Sequence, residues 1–223
     1  MFYFAKIIAN SIEFASVILV SLSFFRIYFR YSLHKVALIA FFMSLISVYF
    51  RDVINEPSLA AIPIIVSGIV LITLFFGLPV IFSILVMVIG SLVTTLFEGL
   101  VASVGTDLNL FSPETFQTSL SQFIMSELIV SALLLLLLYP LQKYKLGFHT
   151  TINDAQKGYN FLLSAVLVIA VVIIQVQTVA FKESKLHIIV PIAIGILFLV
   201  GIYLSYKHNQ KLWKNRRERL SRK

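Results

Sequence analysis

The chain has 223 residues, of which 59% are hydrophobic and only 13% charged, with a net charge of +8. That charged share is about half of what an ordinary soluble domain carries, so the composition predicts an all-α polytopic membrane helix bundle with lipid as its solvent. The absence of cysteine excludes disulfide frameworks, thiolate metal sites and cysteine nucleophiles.

The first apolar segment, 7–25, carries Asn10, Ser11 and Glu13 in its first half. It reads as a span with a polar inner face, the other reading being an interfacial N-terminus over 1–12 followed by a shorter helix. Glu13 interrupts the apolar run and no small-residue cleavage site follows, so the segment reads as retained rather than as a signal peptide. Arg26, Tyr28, Arg30, His34 and Lys35 then mix aromatics with cations, as interfacial anchors do. A short second span, 33–50, closes at Arg51-Asp52, and a polar link follows through Asn55, Glu56 and Pro57.

Leu59 to Phe97 contains no charged side chain. One helix of that length would run to roughly 58 Å, nearly two hydrocarbon cores, so the stretch must fold back on itself. Gly77-Leu78-Pro79 is its only punctuation, and the reading is a membrane hairpin of spans 59–78 and 79–97 turning at Gly77. From Glu98 to Gln122 the chain is more polar, with a helix-start signal at Ser112-Pro113-Glu114. The fifth span is 123–139, ending at Pro140; a basic loop with Lys143, Lys145, His149 and Lys157 leads to a sixth, 161–181, and a seventh, 188–206. A basic tail, 207–223, completes the chain.

Seven spans put the first, third and fifth links and the tail on one side, with fourteen of the eighteen Lys and Arg residues and, among acids, only Asp154 and Glu218. The positive-inside rule makes that side cytoplasmic and the N-terminus external. If the first segment is interfacial, six spans remain with the same C-terminal placement. The expected location is a cell membrane, taken to be a bacterial cytoplasmic membrane.

Glu13, Glu98 and Glu127 all fall in the outer third of this topology. Intramembrane acids are costly and usually face a bundle interior or a wet cavity. Two readings follow: an outward-facing polar cavity, extended by Gln175, that takes a cation, a cationic peptide or a lipid headgroup; or interfacial helix ends for Glu98 and Glu127, with Glu13 hydrogen-bonded to a neighbouring helix. The four histidines lie on links or the tail, unpaired with acids at ligand spacing, so no metal, cofactor or catalytic site is expected. Walker-type and dinucleotide glycine patterns are absent as well. In the tail, Lys211, Trp213, Lys214, Arg216, Arg217 and Arg219 suit anionic inner-leaflet lipids or a docking partner better than nucleic acid.

An opening helix ending in Ser21-Leu22-Ser23-Phe24-Phe25-Arg26-Ile27, a short second span closing at Arg51-Asp52, a hairpin without a loop at Gly77-Leu78-Pro79 and a last span running into a charged helix occur here in that order. This order resembles the membrane-sensor region of Gram-positive peptide-sensing histidine kinases of the accessory-gene-regulator type. No phosphoacceptor motif or ATP-binding glycine box accompanies it, and His208 lacks the usual acidic neighbour, so kinase activity does not follow. What the resemblance implies is a non-enzymatic, free-standing sensor-like or regulatory module, or a sensor whose effector is a separate cytoplasmic polypeptide; a homo-oligomer is the other partner expected. The alternative expectation is a small membrane subunit of a transporter.

Overall fold

A computed structural model describes residues 2–54, 57–108 and 119–144. The expected sixth and seventh spans, Gln175, the Ser112-Pro113-Glu114 helix start and the basic tail lie outside the described residues. Those residues form five α-helices and no strand: α1 (Phe2–Phe24), α2 (Leu33–Val48), α3 (Pro57–Phe76), α4 (Val80–Asp107) and α5 (Leu120–Lys143). A single π-helical turn, Tyr49–Val53, continues α2. With that turn included, α1, α2, α4 and α5 are each long and apolar enough to cross a bilayer, and α3 is a shorter apolar helix.

The hub is α1, which packs against α2, α4 and α5, while α3 closes the bundle against α2 and α4. Its buried stripe runs Lys6, Asn10, Glu13, Val17, Val20, Phe24, the three-and-four spacing of one helix face. The half of the stripe nearer the N-terminus is polar and the other half apolar. Phe24, Phe82, Ile18, Leu22 and Ile39 anchor the apolar half of the core. Large apolar side chains such as Phe4, Leu74 and Leu136 are exposed on the outside of the bundle, where lipid is the natural solvent.

Helix α1 begins at Phe2, ahead of the expected start at residue 7, so its first turns belong to the same continuous helix as Glu13. It ends in a reverse turn in which the Ile27 N–H donates to the Leu22 carbonyl and the Arg26 N–H to the Ser23 carbonyl. Arg26 takes the left-handed conformation (φ 53°) that a helix end of this type requires. The hairpin break falls at 77–79, with Gly77 at φ +63°. Pro79 caps α4 instead of opening it: its extended ψ of 141° turns the chain and the helix starts at Val80. Across the hairpin the Thr73 hydroxyl donates to Ser83 Oγ at 2.8 Å, and the Lys35 ammonium donates to the Phe75 carbonyl at 2.8 Å, satisfying the C-terminal end of α3.

Three expected boundaries move. Arg51 and Asp52 belong to the π-helical turn, not to a link, because the wider turn carries α2 beyond Phe50. Helix α4 continues past Glu98 to Asp107, and α5 passes through Pro140 to Lys143. Proline is tolerated there because only the last turn of the helix remains beyond it, and Leu141 is still buried.

Candidate functional site

Helices α1, α4 and α5 each touch the other two, and the polar half of α1 faces this junction. Two contacts between helices fix α1 against α2 at the same level: the Ser44 hydroxyl donates to the Ile7 carbonyl at 2.7 Å, and Asn10 Nδ2 donates to Ser47 Oγ at 3.4 Å. Further along α1, Gly90 of α4 lies so close that a Cβ there would stand 2.5 Å from Ser21 Oγ and 2.8 Å from Val17 Cγ1. That approach sets the α1–α4 register. Moving eight residues back from Ser21 along α1 and eight forward from Gly90 along α4 reaches Glu13 and Glu98.

Glu13 and Glu98 therefore meet, and Glu127, one turn beyond Phe123 in α5, joins them. One carboxylate oxygen from each of Glu13, Glu98 and Glu127 lies within 4.8 Å of the other two. Glu13 and Glu127 are buried, at 3% and 6% exposure, while Glu98 is exposed and forms the open side of the group. Glu13 Oε1 and Glu127 Oε2 have no hydrogen-bond partner, nor has Asn10 Oδ1 one turn away on the same face of α1. Buried polar atoms are nearly always paired, so two orphaned carboxylate oxygens at one junction mark a place built to receive something positive.

Two cations stand at this end of the bundle. Arg51, exposed in the π-helical turn, lies near enough to Glu13 and Glu98 for its positive charge to act on both. Lys6, buried two turns above Glu13, is ion-paired with Asp52 and lies over the rings of Phe2 and Phe123, 4.6 and 5.2 Å from their centroids. Lys6 and Asp52 neutralise each other, and Arg51 offsets part of the carboxylate charge.

Of the sequence-derived candidates, the structure brings Glu13, Glu98 and Glu127 together. Gln175 and the tail residues lie outside the described residues. Glu98 is not a helix end, since α4 runs nine residues further. Sequence reasoning missed Lys6–Asp52, Arg51 as a neighbour of the acids, and Ser44 and Ser47 as supports for α1. The available signal was charge of opposite sign at one bilayer end, together with two serines three apart in an otherwise apolar helix.

Four apolar helices of bilayer length, packed around a core that is apolar except at one end, fit a helical membrane protein. Comparison with protein-family models, with curated proteins and with solved structures finds no match for the chain.

Proposed function

We propose that this is a non-enzymatic, sensor-like or regulatory protein of a bacterial cytoplasmic membrane, which receives a cationic group at the Glu13–Glu98–Glu127 centre. The observation that carries the reading is the meeting of three carboxylates, two of them buried with unpaired oxygens, at the junction of three spans. Charge asymmetry supports reception from outside: Arg26, Lys35 and Lys143 lie at the opposite end of the described helices, which the positive-inside rule assigns to the cytoplasm. In this reading the N-terminus is external, seven spans cross the bilayer, and the last helix with its basic tail carries the response to a separate effector.

A second reading, a small subunit of a cation transporter, is favoured by the burial of Glu13 and Glu127 in the bundle interior, where translocation paths run. One preparation separates the two. Because the chain lacks cysteine, a single Leu100→Cys carries a fluorophore beside Glu98 without background labelling. In proteoliposomes, spermine or Ca²⁺ added outside is expected to change its emission, and E13Q/E98Q/E127Q to abolish the change. An emission change without cation flux supports the sensor reading; carboxylate-dependent flux moves the protein to transport; no response to any cation refutes both.

A further inference from the structure

We propose that Glu13, Glu98 and Glu127 form a binding site for a hard divalent cation of calcium's size, a specification that rests on the cation-receiving reading above. Three points within 4.8 Å of one another always have a position no more than about 2.8 Å from all three, close to calcium–oxygen distances of about 2.3–2.6 Å. The described helices already hold the donors near a calcium shell, and side-chain rotation alone closes the difference. Magnesium demands a near-ideal octahedron at about 2.1 Å and usually keeps several of its waters, which suits a cage of three carboxylates on separate helices less well than calcium's flexible shell does. The donors are oxygens only, and His34, the only histidine among the described residues, lies at the other end of the bundle. Zinc and copper therefore lack their preferred nitrogen and sulfur ligands.

Charge selects the valence. Among the described side chains at this end four acids, Glu13, Asp52, Glu98 and Glu127, stand against two cations, Lys6 and Arg51, an excess of two. A divalent cation matches that excess when all four acids are ionised, whereas a monovalent one leaves one acid to be protonated or charged at membrane depth. Hydrogen bonding gives an independent indication. Glu13 Oε1 and Glu127 Oε2 are unpaired although both residues are more than nine-tenths buried. The exposed Glu98 gives the ion its way in.

The test is equilibrium dialysis of the full chain in detergent against ⁴⁵Ca²⁺ in excess potassium, after chelator treatment. Saturable binding is expected, weakened at least tenfold in E13Q and in E127Q. Because those changes sit in the packed junction, R51Q supplies a variant that leaves the junction's packing alone. Arg51 is exposed, and removing its positive charge is expected to tighten Ca²⁺ binding about tenfold, the opposite of what a folding defect would do. Absence of saturable binding, binding unchanged in folded E13Q and E127Q, or R51Q affinity that is unchanged or lower would overturn the assignment. If spermine or an arginine-rich peptide binds with the same carboxylate dependence while Ca²⁺ does not, the divalent site is wrong and the cation-receiving reading stands. If none of the three binds, both fall.

Discussion

Lys6 shows how a charge is kept inside an apolar bundle. Its ammonium is paired with Asp52 and flanked by two phenylalanine rings, so each partner makes the other's burial tolerable. Removing one partner strands the other, and Asp52→Asn is expected to cost about 3 kcal/mol of stability, as for other broken buried pairs. Lys6→Met/Asp52→Asn should regain most of that loss in a detergent unfolding titration; a double variant as weak as the single would mean that the pair is not what holds this end together. Residue-level features were unevenly legible in the sequence. Counting depth along each apolar run put the three glutamates in one third of the bilayer, since that needs only the 1.5 Å rise of a helix. The Lys6–Asp52 pair was not legible, because it depends on the direction in which the π-helical turn points its side chains and no spacing rule reports that direction.

At the scale of elements, the apolar runs predict where helices lie, and the hairpin break at 77–79 follows from glycine and proline alone. Helix ends were harder to read. Charge and proline predict stops at Glu98 and Pro140, yet both helices continue, since an acidic side chain and a proline in a last turn leave the backbone hydrogen bonds largely intact. The α1–α4 contact depends on Gly90, where a side chain would collide with Ser21 and Val17. Gly90→Val should push α1 off α4, lower thermal stability and weaken cation binding at the carboxylates eight residues away, although no charge changes. Equal loss of binding in Gly68→Val, which presses on Met87 and Met43 in place of α1, would show that the effect is general loosening and not register.

On the scale of the bundle, the two ends of the described helices differ in sign, and orientation follows if the positive end faces the cytoplasm. Single cysteines at Tyr3 and Leu108, both exposed at the carboxylate end, should react with a membrane-impermeant maleimide in intact cells. Cysteines at Tyr28 and Tyr144, exposed at the other end, should react only after permeabilisation. The reverse pattern would place the carboxylate centre on the cytoplasmic side and remove the external-signal reading.

The stripe of polar residues on α1 also bears on how the protein is made. Lys6, Asn10 and Glu13 leave the ribosome first, but their neighbours Ser47 and Asp52 come with α2, Glu98 with α4 and Glu127 last, with α5. A newly made α1 standing alone in lipid would hold these groups without company, at an energy the bilayer does not tolerate well. Its settled position therefore depends on chain not yet synthesised. Biogenesis is expected to keep α1 sheltered at the insertion machinery until α5 arrives, and a product truncated before α5 should be recognised by its unpaired polar face and degraded.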